Sequence, residues 1–169
     1  MEINFKQKLK HISCFVLDVD GVLTDGSLTL LPGGEQARTM NIRDGYAIQA
    51  AIKAGYKVAV ISGGKSEPVK VRLQGLGVKD VFLGIENKIE KIDELVSIHH
   101  LKTENILYMG DDLPDFEAMK KCGVATCPAD AVHEIKEISS YVSGKKGGEG
   151  CVRDVIEQVM RLQRKWFEV

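Results

Sequence analysis

Five short apolar segments, each separated from the next by a stretch of helical periodicity, leave this chain few folds to choose from. Strands are expected at residues 12–17, 57–61, 81–83, 106–109 and 124–126. Between and after them, apolar residues recur at helical spacing: Ile48, Ala51 and Ile52; Val69, Leu73 and Leu76; Ile89, Ile92 and Leu95; Val152, Val155, Ile156 and Val159. Apolar strands alternating with amphipathic helices are what a parallel sheet covered on both faces requires. The expected fold is therefore α/β and Rossmann-like, a single domain over residues 1–169. A chain of this length buries roughly two-thirds of its unfolded surface, enough for a core without disulfides or a structural metal.

One insertion breaks the alternation. Residues 27–31 and 36–42 flank Pro32-Gly33-Gly34, which predicts a β-hairpin flap at about 27–42, standing off the sheet. A glycine-rich segment, 143–150, precedes the last helix and reads locally as a loop.

Open parallel sheets gather ligands at the carboxyl ends of their strands. Here those ends carry Asp18-Val19-Asp20-Gly21, then Ser62-Gly63-Gly64, then Lys88, then Gly110-Asp111-Asp112-Leu113-Pro114-Asp115. Continued alternation would put Asp18 and Asp20 on one side, with Gly21 turning the chain away beneath them. Two such carboxylates repel each other, so the site calls for a cation or a shared proton. Taken singly, each element has a plain reading. Asp-x-Asp-Gly suits a calcium loop or polar turn, Ser62 a helix cap, Lys88 a surface charge, and Asp112 or Asp115 a cap for the helix starting near Pro114. Together they suit phosphoryl chemistry. A carboxylate reaches an anionic phosphate only when a hard cation and a lysine cancel the repulsion, while a serine hydroxyl donates to phosphoryl oxygens.

In this order the motifs resemble the four of the haloacid dehalogenase superfamily of phosphotransferases. The resemblance implies that Asp18 attacks phosphorus, and that Asp20 protonates the leaving oxygen and then deprotonates the hydrolytic water. It implies Mg²⁺ held by the side chains of Asp18 and Asp111 and by the backbone carbonyl of Asp20. Asp112 and Asp115 would orient metal waters and Lys88. A signalling receiver domain also collects aspartates, a hydroxyl and a lysine, but with the acidic pair first and the phosphoacceptor on a later strand. A catalytically idle oligomerisation module has no need of every reacting group.

The stretches from Asp25 to Ser62 and from Ser62 to Lys88 are filled by hairpin, helices and strands, which leaves no room for a cap domain. The resemblance narrows accordingly to the capless subfamily that contains the octulosonate 8-phosphate phosphatases. It rests on Asn41-Ile42-Arg43-Asp44-Gly45-Tyr46, on Ser62-Gly63 leading to Arg72, and on Lys146-Gly147-Gly148-Glu149-Gly150-Cys151-Val152-Arg153. It implies a homotetramer built around the hairpins, with Arg72 reaching a neighbour's substrate and the glycine-rich segment folding over the site. It also implies a sugar-phosphate substrate from lipopolysaccharide precursor synthesis, bound by Arg43, Gly63, Gly64, Lys65 and Arg72. Arg43-Asp44-Gly45 resembles the pattern for the eight-carbon sugar acid, and Lys65 or Arg43 would pair with its carboxylate. Gly64 departs from both that pattern and that of the nine-carbon sialic-acid-type enzymes, which are the alternative. Arg43 also suits a surface charge at the hairpin base.

Basic and acidic residues are scattered and nearly balanced, with a formal net charge of -1, so neither nucleic acid nor another acidic polymer is an expected partner. No apolar run approaches the ~20 residues that span a bilayer, and Met1 to Lys10 is too polar for a signal peptide. A cytoplasmic protein without membrane contact is expected. Cys14, Cys122, Cys127 and Cys151 form no Cys-x-x-Cys pair, which argues against zinc.

Overall fold

The computed structural model describes residues 5–167; the ends of the expected domain, residues 1–4 and 168–169, lie outside the described residues. The strands are β1 (Cys14–Leu17), β2 (Thr29–Leu30), β3 (Gln36–Ala37), β4 (Lys57–Ser62), β5 (Asp80–Leu83), β6 (Ile106–Met109), β7 (Val124–Cys127) and β8 (Tyr141–Val142). The helices are α1 (Phe5–Leu9), α2 (Ile42–Lys53), α3 (Glu67–Gly75), α4 (Lys88–His99), α5 (Phe116–Lys121), α6 (His133–Ile138) and α7 (Cys151–Leu162).

Six strands form one sheet in the order β5-β4-β1-β6-β7-β8, every pairing parallel. The chain winds outward from β1 on one side and then resumes at β6 on the other, so β1 and β6 border the point where strand order reverses. Ligands bind outside the carboxyl ends of strands at such a point. Leu17 stands level with Val60 on β4 and Met109 on β6, which brings the segments after all three strands to one edge.

The inner strands β1, β4, β6 and β7 are buried on both faces, and their pleat sorts side chains between two cores. Phe15, Leu17, Val58, Val60, Leu107 and Met109 pack on one face with α2, α3 and α7. Cys14, Val16, Ala59, Ile61, Ile106 and Tyr108 pack on the other with α4, α5 and α6. All four cysteines are buried and free. Among the described residues, no helix is long and apolar enough to cross a membrane.

The hairpin is shorter than expected. β2 and β3 pair Thr29 with Ala37 and Leu30 with Gln36, and the pairing ends there. Ile42 belongs to α2 because Asn41 caps that helix, its side chain accepting from the Arg43 amide at 2.8 Å. The same device fixes α4: the Asn87 side chain accepts from the Ile89 and Glu90 amides, which places Lys88 at the first helical position.

Candidate active site

Beyond β1, the Asp18 amide donates to the Met109 carbonyl at 3.1 Å, and the chain then winds into a turn over Val19–Leu23. The Val19 amide donates to Asp18 Oδ1 at 2.7 Å. Gly21 adopts φ +87, and a Cβ there would lie 2.0 Å from Asp111 Oδ2, so only glycine lets the two loops meet. Thr24 holds the turn through its hydroxyl, which accepts from the Gly21 and Gly26 amides at 3.3 and 3.2 Å.

The glycine-rich segment braces this turn. The Gly148 amide donates to the Val22 carbonyl at 3.0 Å, and Asn41 Nδ2 donates to the Gly148 carbonyl at 3.0 Å. The approach is so close that a Cβ on Gly147 would lie 2.0 Å from the Gly21 carbonyl oxygen.

Lys88, 4% exposed, sits between two carboxylates, with Nζ 3.2 Å from Asp18 Oδ1 and 2.6 Å from Asp115 Oδ1. Asp115 is fully used. Its Oδ1 also accepts from the Tyr108 hydroxyl at 2.7 Å, and its Oδ2 accepts from the Asp111 amide at 3.2 Å. Asp115 thus positions Lys88, as expected. Asp112 is exposed and caps the next turn through the Leu113 amide at 2.8 Å, so it is a cap with no contact to Lys88 among its described bonds.

Carboxylate oxygens of Asp18, Asp111 and Asp115 lie within 4.8 Å of one another. Burial first, then Asp18 and Asp115, pushes the Asp111 carboxyl up to about 8. Burial and Asp115 also raise Asp18, against the pull of Lys88. Burial alone would lower Lys88, but Asp18 and Asp115 together hold it above its ordinary value. Asp111 Oδ1 is buried with no hydrogen-bond partner. A buried polar atom left so costs about 1–3 kcal/mol, more when charged. A hard divalent cation between Asp18 and Asp111 would satisfy that oxygen and relieve the repulsion, and an all-oxygen donor set suits Mg²⁺. The residues fit the ion the resemblance implies.

Ser62 ends β4, is 2% exposed, and accepts from the Gly64 amide at 3.2 Å. Asp20 does not follow Asp18 into the lysine cluster. The pleat stops at Leu17, so two-residue alternation does not extend to Asp20, whose carboxylate meets Arg38 just past β3 at 2.6 and 3.1 Å. A contribution of Asp20 to the cation through its backbone carbonyl is unaffected by where its side chain points.

Gly63, Lys65 and Arg72 line a cavity of about 900 Å³ whose other wall is the hairpin, including Gln36, Arg38 and Met40. Gly64, between Gly63 and Lys65, faces Asp20: a Cβ there would lie 2.9 Å from Asp20 Oδ2. Arg43 departs from the expected substrate-binding set. It is exposed on α2 and lines a separate cavity of about 530 Å³ with Lys145, Arg153 and Arg161 of the α7 side. Sequence reasoning missed Arg38, which no motif marks, and Tyr108, which reads as an ordinary apolar strand residue.

A family model for haloacid dehalogenase-like hydrolases matches residues 84–156. The 3-deoxy-D-manno-octulosonate 8-phosphate phosphatase KdsC of Escherichia coli strain K12 is 36% identical over 161 residues, covering 95% of this chain and 86% of that protein. The phosphatase of the same name from Moraxella catarrhalis, solved with magnesium, phosphate and a KDO molecule, superposes with a TM-score of 0.91 at 31% identity, over 94% of this chain and 91% of that one. The cobalt-bound enzyme from Haemophilus influenzae gives 0.90 at 35% identity, over 94% and 92%. With its four polar strand ends on one edge of the sheet, this chain belongs to the haloacid dehalogenase-like hydrolases, in the family of the 3-deoxy-D-manno-octulosonate 8-phosphate phosphatases.

Proposed function

We propose that this chain is a Mg²⁺-dependent phosphatase that cleaves 3-deoxy-D-manno-octulosonate 8-phosphate through an aspartyl-phosphate at Asp18. One observation carries the chemistry: Lys88 bridges Asp18 and Asp115 beside the partnerless, buried Asp111 oxygen. The Val19 amide and Lys88 both hold Asp18 Oδ1, which fixes the plane of the attacking carboxylate. Asp18 forms a bond to phosphorus as the bond to the sugar oxygen breaks, and Asp20 gives that oxygen its proton. Water then attacks the acyl phosphate, Asp20 takes its proton, and Asp18 leaves as a carboxylate. Dividing one displacement into two is the gain from covalent catalysis. Ser62 and Lys88 donate to the phosphoryl oxygens, where charge develops. Mg²⁺, when bound, offsets the negative charge of phosphate and nucleophile.

The eight-carbon substrate is supported by the relatives, which act on that sugar acid across nearly the whole of this chain. None of the three is a nine-carbon enzyme. Gly63, Gly64, Lys65 and Arg72 serve substrate binding in this reading, with Arg72 turned to a neighbouring subunit's site. The homotetramer is supported by the hairpin, which leaves Leu28, Leu30 and Leu31 exposed, Leu30 by 76%. Burying them between subunits would remove apolar area from water and cover the sites at once. The enzyme would work in the cytoplasm, in lipopolysaccharide precursor synthesis.

A panel of sugar phosphates assayed for Mg²⁺-dependent phosphate release tests the substrate. The octulosonate 8-phosphate should exceed neutral six-carbon sugar phosphates by about 100-fold in kcat/KM, the scale of one or two hydrogen bonds to a charged group. Faster release from a nine-carbon sugar-acid 9-phosphate would replace the eight-carbon reading.

A further inference from the structure

Asp20, the acid–base group of this reaction, is not free. Arg38 Nε donates to Asp20 Oδ1 at 2.6 Å and Arg38 Nη2 to Oδ2 at 3.1 Å. Both oxygens are engaged in the parallel two-point contact that makes arginine–carboxylate pairs strong and directional. Proton transfer to the leaving sugar oxygen needs one of those oxygens. Arg38 therefore has to release it during turnover.

The surroundings indicate where the guanidinium goes. Arg38 stands at the end of the hairpin, lining the same cavity of about 900 Å³ as Gly63, Lys65 and Arg72. The leaving group lies on the Asp20 side of phosphorus, so the departing sugar occupies this cavity. The phosphoryl oxygens already have Ser62, Lys88 and the cation. What is left for Arg38 is a group on the sugar, and a planar fork of N–H donors matches a carboxylate better than a hydroxyl. A sugar carboxylate replaces the Asp20 carboxylate in charge and shape, so the exchange leaves no cation unpaired. Gly64 keeps the space open, since a Cβ there would lie 2.9 Å from Asp20 Oδ2 and 3.2 Å from Arg38 Nη2.

We propose that Arg38 is a specificity-determining residue, which latches Asp20 in the free enzyme and exchanges it for the carboxylate of a bound sugar-acid phosphate. The inference rests on the sugar-acid reading above. A phosphate ester without a carboxylate offers no substitute and leaves Asp20 latched, so selection for the acid and release of Asp20 are one event.

Octulosonate 8-phosphate and gluconate 6-phosphate, each as the acid and as the primary amide of its carboxylate, separate the possibilities with the wild type, Arg38→Lys and Arg38→Ala. The wild type should prefer acid over amide by about 10- to 100-fold in kcat/KM, the range for a charge-assisted hydrogen bond. Arg38→Ala should bring that ratio to about one, by a fall on the acid together with a rise in kcat on the amide as Asp20 is unlatched. Arg38→Lys should keep part of the preference. A merely structural role would lower acid and amide together. That result, or a preference that survives in Arg38→Ala, overturns the proposal. If octulosonate 8-phosphate is the better acid but its preference survives in Arg38→Ala, the latch fails and the substrate reading stands. If only gluconate 6-phosphate is turned over and its preference collapses, the substrate reading fails and the latch stands.

Discussion

Asp18→Asn is expected to lower Mg²⁺-dependent phosphate release by about 10,000-fold or more, the scale seen when a covalent nucleophile is removed. The amide is nearly isosteric, so it can keep the Val19 amide and Lys88 on its oxygen while losing the lone-pair basicity that attack on phosphorus requires. The fold should not suffer. Burial and Asp115 already disfavour a charge at this position, so a neutral group relieves the cluster. Thermal melting of the variant without Mg²⁺ should occur at or above the wild-type temperature. A variant that melts normally yet keeps appreciable activity would remove Asp18 from the chemistry.

Chelating the divalent cation is expected to stop the reaction, and Mg²⁺ should restore it where Ca²⁺ does not. Calcium accepts more ligands at longer distances and draws both oxygens of a carboxylate into coordination, which spoils the attacking geometry of Asp18. Stability should respond as well. The folded pKa values of Asp18 and Asp111 lie above the unfolded value near 3.8, Asp111 at about 8. Each carboxyl therefore binds its proton more tightly in the folded chain. Stability from that proton is complete below about pH 4 and is withdrawn as pH rises toward 8. Melting of the chelated protein should fall across this range, and the Mg²⁺-dependent gain in melting temperature should grow across it. A gain independent of pH would place the ion elsewhere.

Much of this was legible because the sheet is simple where the site is built. Asp18, Ser62 and Asp111 each fall at or just beyond the end of a short, almost wholly apolar strand, and Lys88 falls at the start of the helix that follows β5. Parallel strands buried on both faces cannot place such groups anywhere but their ends. The six-residue α6 and two-residue β8 were not legible, since neither is long enough to show a period. Asp20 was misplaced for a different reason. Its neighbours along the chain favour a continued strand, but Gly21 turns the backbone tightly against Asp111, and an arginine from the hairpin takes the freed carboxylate. Arg43 shows the converse: a motif residue whose helix carries it to another face. Contacts between segments distant in sequence leave no periodic trace.

The covalent step is tested most directly by rapid acid quench of the Asp20→Asn variant with ³²P-labelled p-nitrophenyl phosphate. Nitrophenolate leaves without a proton, so the first transfer proceeds, while hydrolysis of the acyl phosphate stalls for want of a base. Label should accumulate to about one phosphoryl group per chain, labile to hydroxylamine, and map to Asp18. Release of phosphate with no labelled protein at any time, or label on a residue other than Asp18, would contradict the account.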